Sequence, residues 1–134
     1  MNSRSEKDMT NFDWVTERSL CSSVKVFETL KLQVTKDIET RNKLRPENSS
    51  YEFHFVTNGD SFTVAKEGNN LHETVTFKLV GKAIQVLDKN GKKLIEATLT
   101  LNDDGECRLK INGRELESWQ MRRLVLEDLF FGLY

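Results

Sequence analysis

The sequence predicts an α+β domain in which a long N-terminal helix and a C-terminal helix pack on one face of a six-stranded antiparallel meander sheet (α-β6-α). Two observations predict this fold class. Before Pro46 and after Arg114, apolar residues recur every three or four positions, which is the period of a helix. Between these segments the apolar period is two and turn signals recur at short intervals, which indicates strands joined by hairpins.

The first helix is predicted between Asn11 and Leu44, a stretch that contains neither glycine nor proline. Asn11 or Asp13 would cap its start, and Pro46 follows its end. A break within the segment SLCSS (residues 19–23) is compatible with the same pattern, so one helix or two would meet the prediction. The residues of the predicted buried stripe are Leu20, Val24, Phe27, Leu30, Val34 and Ile38.

Five predicted hairpins define the sheet, because the length of each loop sets which residues face each other across it. Turns are expected at Asn58-Gly59, Gly68–Leu71, Val80-Gly81, Asn90-Gly91 and Asp103–Gly105. The predicted opposite pairs include Phe55 and Phe62, Phe62 and Phe77, Phe77 and Ile84, Ile84 and Ala97, and Leu99 and Leu109. With these pairs the large apolar side chains share one face. The opposite face carries Glu52, His54, Thr63, Thr74, Thr76, Lys78, Gln85, Glu96, Thr98, Thr100, Arg108 and Lys110.

The last helix is predicted from Arg114 to about Phe131 and is apolar around most of its circumference. Its polar residues Gln120, Arg123 and Glu127 fall on one narrow arc of the helical wheel. A helix that is apolar nearly all round contacts more than one surface. The surplus apolar surface is therefore expected to meet a second chain, a ligand or a crowded core of the chain itself. The candidate interface residues are Trp119, Leu126, Leu129, Phe130, Phe131 and Tyr134.

A second hypothesis is a carrier of a small apolar ligand, because a helix laid across a curved sheet can enclose a cavity. The residues expected to line such a cavity are aromatic: Tyr51, Phe53, Phe55, Phe62 and Phe77. The layout of a helix over a meander resembles helix-grip and cystatin-like folds, and no motif in the chain indicates one family.

The composition bounds the domain organisation and the class of partner. The chain has 134 residues with a net charge of −1, so we expect a single domain over residues 11–134 after a flexible polar tail over residues 1–10. The balanced charge does not favour nucleic acid or a membrane surface as a partner. No signal peptide or transmembrane run is apparent. Cys21 and Cys107 have no motif spacing and are expected to be buried free thiols, which suits a cytoplasmic location.

Residues that could support catalysis or bind a metal are scattered. His54 is expected on the polar sheet face and His72 at the end of a loop, and neither belongs to a metal-binding motif. The chain contains no nucleophile elbow and no glycine-rich phosphate loop. We therefore expect a non-catalytic binding or protein-interaction domain, without cofactor or metal, for which self-association through the C-terminal helix is one option. The alternatives are the apolar-ligand carrier, then a nucleic-acid-binding module that uses the polar sheet face, then an enzyme with a scattered site.

Overall fold

Three α-helices and one antiparallel sheet of seven strands make up residues 9–132, the part of the chain that the computed structural model describes. The helices are α1 (Trp14–Leu20), α2 (Ser23–Lys43) and α3 (Ser118–Phe131). The strands are β1 (Tyr51–Asn58), β2 (Ser61–Gly68), β3 (Leu71–Val80), β4 (Ala83–Leu87), β5 (Lys93–Leu101), β6 (Cys107–Ile111) and β7 (Arg114–Leu116). Each strand pairs with the next in sequence, so the sheet is a meander. The α+β class with an antiparallel sheet is confirmed, whereas the prediction of six strands is wrong.

The predicted N-terminal helix is divided at Cys21. Ser22 has an extended backbone, and its hydroxyl accepts a hydrogen bond from the Lys25 amide at 3.2 Å, which caps the start of α2. Because a new helix begins at this point, the predicted apolar stripe does not continue through the break. Leu20 and Val24 are more than half exposed. The buried members of the stripe all lie in α2: Phe27, Leu30, Val34 and Ile38.

The chain before α1 contacts the loop between β5 and β6. A Cβ atom added to Gly105 would lie 2.6 Å from the Phe12 ring and 3.1 Å from the Met9 methyl group, so both side chains press against this glycine. Asp13, one of the two predicted caps, accepts hydrogen bonds from the amide and hydroxyl of Thr16 at 3.1 and 2.6 Å. Residues 1–8 of the predicted tail lie outside the described residues.

Three of the five predicted hairpins have the predicted register. The observed pairs are Phe62 with Phe77, Ile84 with Ala97, and Leu99 with Leu109. The loop between β2 and β3 is shorter than predicted, because Gly68 pairs with Leu71 and only two residues remain in the turn.

Two hairpins are shifted by two residues from the predicted register. Phe55 lies opposite Val64, and Phe77 lies opposite Val86. In each case the glycine takes the first of the two turn positions, as in a type II′ turn, where the prediction had placed it second. These glycines both have a φ of +59°: Gly59 and Gly81. Moving a turn by one residue shifts the pairing by two, so every side chain stays on its predicted face.

The seventh strand occupies the start of the segment that was predicted to be helical. Asn112 and Gly113 have φ values of 51° and 79° and form a tight turn after β6, which is the backbone that an Asn-Gly hairpin turn requires. Leu109 then pairs with Leu116 across the new hairpin. The final helix therefore begins at Ser118 and is shorter than predicted. The Asn-Gly dipeptide was a signal for this hairpin in the sequence.

One hydrophobic core joins α2, α3 and the alternating apolar residues of the strands. The Phe62 ring stacks on Phe77 at a centroid distance of 4.7 Å, and the Phe27 ring of α2 lies 5.1 Å from the Phe62 ring. From α3, Phe130 packs edge-on against Phe53 at 5.0 Å. Within residues 9–132, no helix combines the length and the apolar character that crossing a bilayer requires.

Cys21 and Cys107 form a disulfide bond, so the prediction of free thiols is wrong. The bond ties the junction between α1 and α2 to the start of β6. The predicted register placed Cys107 opposite Leu101, as observed, but Cys107 is exposed where burial was predicted. The register gave Cys21 no position relative to the sheet. The expected cytoplasmic location depended on free thiols and loses that support.

Candidate interaction surface

A row of exposed side chains runs along α3 at four-residue intervals: Trp119, Arg123, Glu127 and Phe131. We call it the outer row. Residues with this spacing form a ridge on one side of a helix. Trp119 and Phe131 are 52% and 65% exposed, and Arg123 Nε lies 3.4 Å from Glu127 Oε1. The ridge therefore has an aromatic ring near each end of the helix and a pair of opposite charges between them.

The other candidate interface residues have a different environment. Leu126, Leu129 and Phe130 are buried in the core of the chain itself, and Tyr134 lies outside the described residues. Because α3 contacts both the sheet and α2, its buried arc accounts for these three side chains. Among the candidates that the structure describes, Trp119 and Phe131 are the two available to a partner.

Clefts flank the outer row on both sides. One cleft, of about 400 Å³, lies between α2 and α3 and is bordered by all four residues of the row together with Leu44, which follows the last residue of α2 and is 67% exposed. A second cleft, of about 460 Å³, lies on the other side of α3 and is bordered by Trp119, Arg123 and Glu127. The outer row thus stands as a ridge between two grooves.

Arg41 positions the C-terminal end of the row. This buried guanidinium donates from Nε to the backbone carbonyl of Phe130 at 2.7 Å and from Nη2 to the Tyr51 hydroxyl at 3.2 Å. Its central carbon lies 4.8 Å from the centroid of the Phe131 ring, which is within cation–π range. Phe131 is therefore exposed on one side and supported on the other.

An ion pair fixes α3 against α2. Arg122 Nη1 lies 2.7 Å from Asp37 Oδ2, and both side chains are partly shielded from solvent. Next to this pair, the Ser118 hydroxyl donates to the Gln33 side-chain oxygen and accepts from Arg122 Nε. The ridge and its adjoining cleft are consequently held in place by contacts that do not include the outer row.

Lys66 is a second buried cation near this end of the core, and the sequence interpretation missed it. Only 3% of the residue is exposed, and its Nζ lies 4.6 Å from the Tyr51 ring centroid. Loss of hydration on burial lowers the pKa of Lys66 from its ordinary 10.5; Tyr51 opposes this shift and Arg41 adds to it. The period-two pattern of β2 places Lys66 on the apolar face of the sheet, and this position is the sign of its burial that the sequence contains.

The aromatic residues proposed to line a ligand cavity pack against one another. Tyr51 contacts Phe53 at 5.7 Å, and Phe62 contacts Phe55 at 5.4 Å and Phe77 at 4.7 Å. None of the five borders either cleft beside α3. An apolar ligand would therefore have to separate these rings in order to enter.

The two histidines lie apart on the surface. His54 is on the polar sheet face, 3.7 Å from Glu52, and His72 Nδ1 lies 3.0 Å from a Glu67 carboxylate oxygen. In the described part of the chain, no three His, Cys, Asp or Glu side chains are grouped closely enough to hold a metal ion.

The chain was compared with protein-family models, with curated proteins and with solved structures, and none of the three comparisons gives a match.

Proposed function

We propose that this chain is a non-catalytic protein-interaction domain whose binding surface is the outer row of α3 and the cleft beside it. The observation that carries the proposal is the exposure of Trp119 and Phe131, each more than half accessible on a helix whose opposite side is buried. Aromatic residues and arginine are enriched at protein interfaces and dominate their energetics. Leu44 extends the apolar surface to the C-terminal end of α2.

The contacts that hold α3 in place support the same function. The ion pair between Arg122 and Asp37 and the hydrogen bond from Arg41 to the Phe130 carbonyl hold the helix without using the outer row. A preformed surface loses little conformational entropy when a partner binds. Aromatic anchors that are already in position are therefore suited to binding.

The polar sheet face supports a nucleic-acid partner less well. Its basic residues share the face with acidic ones, among them Glu96, which accepts hydrogen bonds from Gln85 at 2.9 Å and from Lys93 at 3.4 Å, and these bonds lower the pKa of Glu96. The residues predicted for that face include no aromatic side chain on which bases could stack. We expect this face to remain solvated.

Photo-crosslinking in the cells that naturally produce the protein tests the proposal. A photoreactive amino acid replaces Trp119 or Phe131. A matched control carries it at Val56 of β1, which is 55% exposed and shares the polar face of the sheet with His54. We expect both α3 positions to give the same protein adduct and position 56 to give none. Absence of an adduct at both α3 positions would contradict the proposal, as would equal labelling at all three.

A further inference from the structure

The outer row is complementary to a copy of itself that runs in the opposite direction. Its order is aromatic, cation, anion, aromatic, from Trp119 through Arg123 and Glu127 to Phe131. Trp119 and Phe131 are equally far from Val125 along the helix, and so are Arg123 and Glu127. A second row running in the opposite direction therefore places Trp119 opposite Phe131 and Arg123 opposite Glu127.

We propose that the partner of this surface is a second copy of the chain, with the two α3 helices antiparallel about a two-fold axis at the height of Val125. This inference rests on the proposed function. In a two-fold symmetric interface each contact occurs twice, since residue i of one copy meets j of the other and j meets i. The outer row meets that requirement with both of its residue pairs.

Charge fixes the direction of the pairing. Within one chain Arg123 and Glu127 are a solvent-exposed pair, and such a pair alone stabilises a protein little. When two rows meet antiparallel, each guanidinium faces a carboxylate of the other copy. A parallel arrangement in the same register would oppose like charges, which complementary interfaces avoid.

The shape of the surface fits the same geometry. Rows of residues spaced by four on two helices pack side by side when the helix axes cross at about −50°. In that arrangement each ridge enters the 400 Å³ cleft of the other copy, where Leu44 is exposed. The aromatic side chains and Leu44 of both copies would bury on the order of 1,000 Å² in total, at the low end for a specific complex. The dimer is therefore expected to depend on protein concentration.

Charge reversal tests the proposal by sedimentation equilibrium. Arg123→Glu makes the centre of the row wholly negative, and Glu127→Arg makes it wholly positive, so each variant alone should self-associate about tenfold or more weakly. An equimolar mixture of the two should recover association as a complex with one copy of each. The double variant Arg123→Glu/Glu127→Arg keeps a self-complementary row and should associate as the parent does. Lys78→Glu, on the polar sheet face, is the matched control and should change nothing.

The outcomes separate this inference from the proposed function. Because both side chains are exposed, the variants are expected to keep the parent's circular dichroism spectrum. The inference is overturned if the parent chain stays monomeric up to roughly 1 mM, if the single variants associate as the parent does, or if their mixture does not associate. A photo-crosslinked adduct with a different protein at Trp119 and Phe131 supports the proposed function and overturns the dimer. An adduct with the mass of two chains supports both.

Discussion

Lys66 lies in β2 at a position that the alternation of the strand directs toward the core. Its amine lies over the Tyr51 ring, and Arg41 of α2 donates a hydrogen bond to the Tyr51 hydroxyl. The sequence shows on which face Lys66 lies. It does not show that the amine is buried, because the depth of burial is set by residues of other elements.

The lowered pKa of Lys66 predicts a pH dependence of stability. Between the folded pKa and the unfolded value near 10.5, the unfolded chain binds more protons, so the free energy of unfolding rises with pH in that window. We expect urea unfolding at pH values approaching 10.5 from below to show this rise for the parent and a smaller rise for Lys66→Met. The exposed Lys78→Met should behave as the parent. Parallel curves for the parent and Lys66→Met would contradict the burial.

At the scale of the element, α3 shows what a helical wheel can and cannot predict. The helix carries more apolar surface than its core contacts bury, since Leu126 and Leu129 are buried while Leu124 and Phe131 are exposed. Which apolar residues face inward depends on where the helix starts and on how it lies against α2 and the sheet. The predicted start of the helix at Arg114 was wrong because residues 114–116 form β7. The orientation of the helix is set by its contacts with residues that are distant in sequence.

Two leucines of α3 give a matched test of which side of the helix faces the core. Leu129 is 3% exposed and Leu124 is 58% exposed. We expect Leu129→Ala to lower the free energy of unfolding by about 2–5 kcal/mol, since it leaves a cavity in the core. Leu124→Ala should change it by less than about 0.5 kcal/mol. Chemical denaturation of both variants at low protein concentration measures the difference, and equal losses would contradict the observed orientation of α3.

For the whole molecule, local patterns predicted the local structure and left the long-range contacts open. The period of two predicts which face of the sheet each strand residue occupies. This assignment stays correct even where the turn was misplaced, as at Gly59, because the pairing then shifts by two residues. The contact between Cys21 and Cys107 has no such local signal, because it depends on how the α1–α2 junction passes the end of the sheet. The outer row was visible in the sequence, but its exposure depends on the packing of α3.

The disulfide predicts a response to reducing agent. Its two cysteines are 86 residues apart, and a bond that closes so long a loop restricts the unfolded chain strongly. We expect reduction to lower the free energy of unfolding by about 2–5 kcal/mol, measured by urea unfolding with and without dithiothreitol. The variant Cys21→Ser/Cys107→Ser should have the lower stability under both conditions. An unchanged midpoint after both thiols are shown to be free would contradict the prediction.

The meander topology has a consequence for the order in which the molecule assembles. Every strand pairs with its neighbour in sequence, so the sheet can grow by successive hairpins, each of which closes only a short loop. The disulfide bond, in contrast, joins residues 86 positions apart, and closing so long a loop costs more chain entropy than closing a hairpin. We therefore expect a chain in which the disulfide fails to form to pair its strands all the same.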